Sequence, residues 1–265
     1  LVGADVATTD WRMVTENPAV DIVHICTPNA IHLEPLLSAM RHNKHIYCEK
    51  PLVDSMAEAE QVRDALAEYR GTAQMVFHYR FYPATMRARQ LVDEGAIGEV
   101  LEFRVSYFQC SQADPNVPFR WKSSRAAGGG VLPDIGSHAL DIAEWLAGPF
   151  AEISAATHIG FTQRRDPKDP YGMLPVDAED SVSIMARLPN GALGTIQASK
   201  LATGTENDMI VEIFGTRGAI RFDGMDPHHL WYFDNSVPEG ALGGRRGWCR
   251  IACGHRYEHP DTTFP

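Results

Sequence analysis

Asp134 and His138 lie four residues apart, directly after a segment with three consecutive glycines at positions 128–130. In a helix this spacing places a carboxylate and an imidazole on one face. An imidazole titrates near neutral pH, so it can accept or release a proton, and the carboxylate can orient it or bind a hydroxyl group. The pair predicts general acid–base chemistry. The alternative interpretation is an ordinary helix with solvated polar residues.

A helix over residues 134–146 is predicted to carry this pair. Its apolar side chains recur at helical spacing and form one stripe, which comprises Ile135, Ala139, Ile142 and Leu146. A helix anchored through such a stripe can hold a general base rigidly over a pocket. Asp141 falls on the polar side of the same helix and is a weaker candidate for substrate contact.

Lys50 is the third candidate for chemistry. It stands between Glu49 and Pro51, at the end of a short strand predicted over residues 45–48. Residues 20–29 predict another buried strand, which ends in Thr27, Pro28 and Asn29. In α/β sheets, ligands bind beyond the carboxyl ends of the strands, so Lys50 can present a cation to a ligand oxygen. The alternative is a surface Glu–Lys pair of little energetic value.

The elements that must position these residues fall into two parts, with a predicted boundary near residue 76. Strands at 20–29, 45–48 and 73–77 alternate with helices at 31–43 and 55–69, which predicts a doubly wound α/β sheet. A helix over 80–95 then leads into a series of strands without intervening helices. These strands are predicted at 100–108, 151–161, 181–188, 193–200, 209–214 and 219–222. We expect a mainly antiparallel sheet with one open face, and a mobile loop over 162–177.

Composition excludes several classes of function. The net charge of −10 argues against partners such as nucleic acid and anionic membrane surfaces. No apolar run is long enough to span a bilayer. Five cysteines, with Cys26 and Cys48 in strands expected to be buried, suit free thiols in a reducing cytoplasm.

Taken together, the motifs resemble the glucose–fructose oxidoreductase / inositol dehydrogenase (Gfo/Idh/MocA) family. Each matching segment is weak alone, but they occur in family order between about residues 4 and 225. They are 27–29 with His32, 49–51, Tyr79-Arg80 with Pro83, 95–100, and 128–141.

The resemblance implies a Rossmann-type dinucleotide-binding domain over residues 1–76 and a substrate-binding and oligomerisation domain, of α+β type, over 77–265. It implies hydride transfer between NAD or NADP and a secondary alcohol of a sugar, glycoside or cyclic polyol. His138 would be the base, Asp134 would orient it or bind a hydroxyl, and Lys50 would stabilise charge on the carbinol oxygen. The expected cofactor contacts are Thr27, Pro28, Asn29, His32, Glu49, Lys50 and Arg80. Besides the catalytic three, the expected substrate contacts are Tyr79, Trp121 and Lys122.

The sequence also departs from the family pattern. No Gly-x-Gly-x-x-Gly turn follows a strand near residue 1, so the usual pyrophosphate-binding turn is missing from the sequence. The second strand, whose acidic or basic residue reads the adenosine ribose, is missing as well, so the choice between NAD and NADP stays open. The sequence also stops at Pro265, before an expected closing helix and strand. We therefore expect a fragment of a longer polypeptide; the alternative is a relative that has lost its cofactor site.

Other classes of function stay open beside the enzyme. A sensor or regulator of the same fold would bind cofactor without turnover, although it would not need a base. A structural fragment could instead serve self-association alone, and we expect a dimer or tetramer through the open sheet face in addition to catalysis. Cys249, Cys253 and His255 are close in sequence, but they lack the second pair that a typical metal site has.

Overall fold

Three short parallel strands and their connecting helices form the first part of the chain. The computed structural model describes residues 3–254. The first elements are α1 (Arg12–Thr15), β1 (Ile22–Ile25), α2 (Leu33–Arg41), β2 (His45–Cys48), α3 (Met56–Ala65) and β3 (Ala73–Met75). The strand order is β1-β2-β3, with both pairs parallel. The predicted α/β arrangement of this part is confirmed.

Only one face of this sheet is covered by helices. Side chains in β1 and β2 alternate between exposed and buried, and the buried ones pack against α2 and α3. The strand predicted as buried over residues 20–29 is therefore buried on one side only, within the described residues. Cys26 is exposed, contrary to prediction, because β1 ends at Ile25 and Cys26 already lies in the loop beyond it. Cys48 is buried, as predicted.

A large sheet dominates the second part of the chain. Its elements follow α4 (Pro83–Asp93) and are β4 (Val100–Phe108), α5 (Ser137–Ala147), β5 (Glu152–His158), β6 (Gln163–Arg165), β7 (Met173–Pro175), β8 (Ser181–Arg187), β9 (Leu193–Ser199), β10 (Asp208–Gly215), β11 (Gly218–Asp223), β12 (His229–Asp234) and β13 (Trp248–Ala252). Eight strands are ordered β13-β12-β11-β10-β4-β9-β8-β5. The β4–β9 pair is parallel and the other pairs are antiparallel, so the predicted mainly antiparallel sheet is confirmed.

Helix α5 covers the inner face of this sheet. The predicted apolar stripe is buried, from Ile135 through Ala139 and Ile142 to Leu146, and shares a core with Phe103 of β4. Burying an Ile or Leu side chain contributes roughly 1.5–3 kcal/mol, so the stripe anchors the helix firmly. The opposite face of the sheet is open, and every residue of β5 is exposed.

Two predicted segments differ from the structure. The helix predicted from residue 80 begins instead at Pro83, because Tyr82 is extended (ψ 140°), as a residue before proline prefers. Residues 162–177 are not an unstructured loop, since they contain the β6–β7 hairpin. Arg164 in this hairpin is buried and donates hydrogen bonds to the carbonyl oxygens of Gln112 and Asp114, at 2.7 and 2.6 Å. The missed contacts are about 50 residues apart in sequence, so no local pattern indicates them.

Two further features concern membranes and metals. Within residues 3–254, none of the helices has the length and apolarity to cross a bilayer. His255 of the proposed metal-ligand group lies outside the residues that the structure describes, so that group cannot be placed as a whole.

Candidate active site

A glycine-rich loop and a π-helical turn, Leu132–Gly136, lead into α5. Gly130 has φ +127°, and a Cβ there would lie 2.4 Å from Oε1 of Glu179, so a larger residue would displace that carboxylate. The displaced contact matters because the backbone N–H of Leu132 donates to Glu179 Oε1 at 3.0 Å and satisfies a free group at the helix start. The glycines thus let the helix that carries Asp134 begin tightly against the sheet.

Asp134 lies at the centre of a cluster of lysines. Its Oδ2 is 2.9 Å from Nζ of both Lys122 and Lys200, and its Oδ1 is 3.4 Å from Nζ of Lys50. Lys50 also donates to the backbone carbonyl of Asp134. Burial by itself would raise the pKa of Asp134, but the three ammonium groups, Lys200 foremost, hold it well below its ordinary value. Asp134 is therefore a carboxylate, fixed from several sides.

Lys50 reaches this cluster from the end of β2. Its side chain is 16% exposed, and burial lowers the pKa of the ammonium group, although the nearby Asp134 carboxylate opposes that change. A lysine in this setting presents a positive charge to a small volume from which water is partly excluded. It can stabilise negative charge on a substrate oxygen there.

His138 lies one helical turn further along, within a group of aromatic rings. Its ring centroid is 4.8 Å from that of His78 and 5.4 Å from that of Tyr79. Its Nδ1 is buried and has no hydrogen-bond partner among the described residues. Burial, followed by the charge of Lys50, lowers the pKa of His138 to about 3, so the imidazole is neutral at physiological pH. No hydrogen bond joins Asp134 to His138 in the described part of the chain, so the prediction that Asp134 orients the imidazole has no direct contact behind it.

A cleft of about 260 Å³ opens beside Lys50 and Asp134, at the carboxyl ends of β1 and β2, and His138 does not line it. Nine residues line this cleft, and eight of them are site candidates from the sequence: Thr27, Pro28, Asn29, Glu49, Lys50, Trp121, Lys122 and Asp134. The ninth lining residue is Cys26. Asn29 Nδ2 donates to the carbonyl oxygen of Gly128 at 2.8 Å and so links the loop after β1 to the glycine loop. The cleft therefore lies between the two parts of the chain.

Two comparisons with family models cover this architecture. Residues 2–78 match the model described as an oxidoreductase family with an NAD-binding Rossmann fold. Residues 85–221 match the GFO/IDH/MocA C-terminal domain. The chain belongs to the GFO/IDH/MocA family. The resemblance drawn from the sequence motifs is thereby confirmed.

Known members of the GFO/IDH/MocA family are similar along most of the chain. Levoglucosan dehydrogenase from Pseudarthrobacter phenanthrenivorans is 37% identical over 83% of this chain and 60% of its own length. The scyllo-inositol 2-dehydrogenase (NAD(+)) of Bacillus subtilis is 28% identical over 86% of this chain and 63% of its own length. The chain thus spans about 60% of the length of these relatives.

A solved structure of levoglucosan dehydrogenase in complex with NADH and L-sorbose has a TM-score of 0.89 to this chain. It is 34% identical, and the similarity covers 97% of this chain and 70% of the other. The two-part architecture is therefore shared with a member of the GFO/IDH/MocA family whose structure is a complex with NADH and L-sorbose.

Two candidates from the sequence, His32 and Tyr79, are held away from the open cleft of this chain. His32 is fully buried, and its Nε2 and Nδ1 lie 2.8 and 3.0 Å from the carbonyl oxygens of Thr27 and Pro51. His32 thereby joins the loop after β1 to the loop after β2 from the buried side of the cleft. Tyr79 is 2% exposed and lies against the ring of His138. Their predicted contacts with cofactor and substrate would therefore be indirect.

Arg80 and Asp141 bind each other. Arg80 Nε donates to Asp141 Oδ2 at 2.9 Å, and Nη2 donates to the other carboxylate oxygen. This forked pair joins the segment before α4 to α5 and raises the pKa of Arg80. Neither side chain lines the 260 Å³ cleft. The predicted cofactor contact of Arg80 and the substrate contact of Asp141 stay predictions.

Sequence reasoning missed Lys200 and His78. Lys200 directly follows β9, where Gly194, Ile196 and Ala198 are buried in alternation. Continuing that alternation places position 200 on the buried side, and a lysine on the buried side of a strand is a signal that was available. His78 precedes Tyr79 in the segment that reaches His138, but no spacing rule indicates an interaction between rings 60 residues apart.

Proposed function

We propose that the protein is an oxidoreductase that transfers a hydride between NAD or NADP and a secondary alcohol of a sugar, glycoside or cyclic polyol. The observation that carries this proposal is that Lys50 and Asp134 line one cleft at the carboxyl ends of β1 and β2, while His138 lies one helical turn beyond Asp134 and within the influence of the Lys50 charge. Relatives named as dehydrogenases of levoglucosan and scyllo-inositol support the same substrate class.

The cleft residues fit the nicotinamide end of such a cofactor. Thr27, Pro28 and Glu49 follow the strand ends where α/β sheets bind ligands, and Lys50 lies beside them. When bound, NAD or NADP would accept or supply the hydride. Asn29 would act through its bond to Gly128, which keeps the first loop against the second part of the chain.

Side chains of the protein would accept the hydroxyl proton and stabilise the negative charge that develops on the carbinol oxygen. Lys50 would stabilise negative charge on the carbinol oxygen, and His138, neutral because its pKa is lowered to about 3, would accept the hydroxyl proton. Protonating so buried an imidazole is unfavourable in the free protein, so the proton would have to pass onward. Asp134, with Lys122 beside it, would hold a neighbouring hydroxyl group in place.

The test combines cofactor binding with turnover on a panel that contains levoglucosan, scyllo-inositol and xylose. We expect calorimetric titration to show saturable binding of NAD or NADP, and His138→Ala to abolish turnover while cofactor affinity stays near the wild-type value. Undiminished turnover in that variant would remove His138 from the mechanism. Cofactor binding without turnover of any alcohol by the wild type would favour the sensor alternative.

We further propose that the open sheet face mediates self-association into a dimer or tetramer. A shallow depression of about 530 Å³ on this face is lined by apolar residues that include Leu101, Met185 and Leu193. These side chains are 57%, 56% and 43% exposed, which is unusual for neighbouring large apolar residues. Light scattering of the wild type and of Met185→Glu tests this proposal: the variant should shift to a smaller species, and a monomeric wild type would contradict it.

The proposal also includes a domain boundary and a cellular location. We place the boundary between the nucleotide-binding and substrate domains near residue 76, where β3 has ended and α4 has not begun. We place the protein in the cytoplasm, since Cys26, Cys48, Cys110 and Cys249 are all free thiols. Limited proteolysis and fractionation of the native host would test these two assignments.

A further inference from the structure

We propose that Lys200 is a positioning residue, which fixes Asp134 as a carboxylate by occupying its Oδ2 from the sheet side. This inference rests on the proposed function, because Asp134 is taken there to bind the substrate. Lys200 Nζ lies 2.9 Å from Asp134 Oδ2 and donates to the carbonyl oxygen of Gly130 at 3.1 Å. Its side chain is only 3% exposed, so it cannot itself reach a substrate in the open cleft.

A buried ammonium group is costly unless a charge of opposite sign and hydrogen-bond acceptors surround it. Among the described residues, the charged partner of Lys200 is Asp134, and the hydrogen-bond acceptor beside it is the carbonyl oxygen of Gly130. The charge of Lys200, together with Lys122 and Lys50, lowers the pKa of Asp134 against the effect of burial. Lys200 therefore favours the charged form of Asp134.

The backbone around Lys200 makes this contact rigid. Its N–H donates to the carbonyl oxygen of Asp180 at 2.9 Å. The preceding residue, Glu179, accepts from the N–H of Leu132 through its side chain and from the N–H of Val131 through its carbonyl, at 3.0 and 2.8 Å. Two adjacent acidic residues therefore fix both sides of the contact: Asp180 holds the backbone of Lys200, and Glu179 holds the start of the helix that carries Asp134. The distance between the two partners is set by the sheet, not by flexible side chains alone.

Lys122 provides a matched contrast. It lies at the same 2.9 Å from the same oxygen, but its side chain is 40% exposed and can exchange its contact with water. With Oδ2 shared between these two lysines, Oδ1 is left on the side of Lys50, at 3.4 Å. Lys200 thereby leaves one defined carboxylate oxygen for a substrate hydroxyl.

The first test compares Lys200→Met with Lys200→Arg in steady-state kinetics across pH. Losing a hydrogen bond to a charged group should lower kcat/KM for the alcohol by roughly 10- to 100-fold in the Met variant, with the KM for cofactor little changed. Because Asp134 would then bind a proton more readily, the acid limb of the profile should move to higher pH. Arginine keeps the charge, so it should restore the position of that limb.

Two results would overturn the proposal. One is a Met variant with the wild-type kcat/KM and acid limb. The other is an equal loss in both variants with the acid limb unmoved and the melting temperature lowered, which would indicate a structural role alone.

The second test is independent of turnover and uses melting temperatures. Asp134→Leu leaves the Lys200 ammonium group buried without its carboxylate, which should lower Tm by about 10 °C. Adding Lys200→Met should recover most of that loss, whereas adding Lys122→Met should not, because Lys122 is solvated. Failure of Lys200→Met to recover stability would contradict the pairing. If the wild type turned over no alcohol with either cofactor, the proposed function would fail, and this cycle would still decide whether Lys200 fixes Asp134.

Discussion

Acidification should weaken the folded state through one buried side chain, His138. In the folded protein, burial and then the charge of Lys50 lower its pKa from 6.5 to about 3. In the unfolded chain the imidazole is solvated and binds a proton at its ordinary pKa. Between these two values the unfolded state binds more protons than the folded state, so stability falls as the pH falls.

The size of this effect follows from the difference in pKa. Each unit of pH between the two values costs about 1.4 kcal/mol, so the contribution is near zero at pH 7, about 1.4 kcal/mol at pH 5.5 and about 2.7 kcal/mol at pH 4.5. His138 is 5% exposed, so solvent screening does not reduce this figure substantially. A loss of that size is a large part of the stability of an ordinary domain.

The assay is urea unfolding of the wild type and of His138→Phe at about pH 7, 5.5 and 4.5. Phenylalanine keeps an aromatic ring beside Tyr79 but cannot titrate, so the variant should gain relative to the wild type by about 2.7 kcal/mol over this range. His158→Gln serves as the control substitution, because it also removes one histidine but from the exposed strand β5. Parallel curves for the wild type and His138→Phe would refute the buried, neutral imidazole.

Three further substitutions have expected outcomes. Lys50→Ala should lower kcat/KM by roughly 100-fold or more and also weaken cofactor binding, measured by steady-state kinetics and calorimetry, since Lys50 lines the cleft and contacts Asp134; unchanged values for both would contradict its role. Gly194→Ala should lower the free energy of unfolding by about 1–3 kcal/mol, because the added Cβ would lie 2.2 Å from the ring of Phe103; urea unfolding checks this, and an unchanged midpoint would show that the ring can move. Asn29→Ala removes the 2.8 Å hydrogen bond to the Gly128 carbonyl oxygen and should raise the Kd for cofactor by roughly 5- to 10-fold in a calorimetric titration. An unaltered Kd would mean that this hydrogen bond does not shape the cleft.

Local periodicity was sufficient to predict the elements that carry the site. The helix stripe from Ile135 to Leu146 is buried as its spacing indicates, and β4 occupies the predicted residues 100–108. The position of Lys50 at a strand end also follows from local pattern, because the carboxyl ends of parallel strands lie at one edge. Such features depend on neighbours within a few residues, and the sequence displays them directly.

Contacts between distant residues were not predictable in this way. Arg80 and Asp141 are 61 residues apart, and only the folded structure shows that their charges neutralise each other. His32 satisfies two loops from a fully buried position, although its polarity favoured a ligand contact. The cluster around Asp134 draws lysines from three separate segments, so its charge balance depends on the tertiary fold.

The parallel pairing of β4 with β9 has a consequence for how the molecule is made. Strand β4 lies at the centre of the large sheet, but both of its neighbours, β9 and β10, begin at least about 85 residues further along the chain. During synthesis at roughly 5–20 residues per second, β4 must wait several seconds for either partner. Helix α5 is synthesised well before the sheet against which it packs. Its apolar stripe therefore lacks a complete packing surface until β9 and β10 have emerged. Pairing across so long a loop is intrinsically slow, so this interval is the period in which a nascent chain would depend most on chaperones.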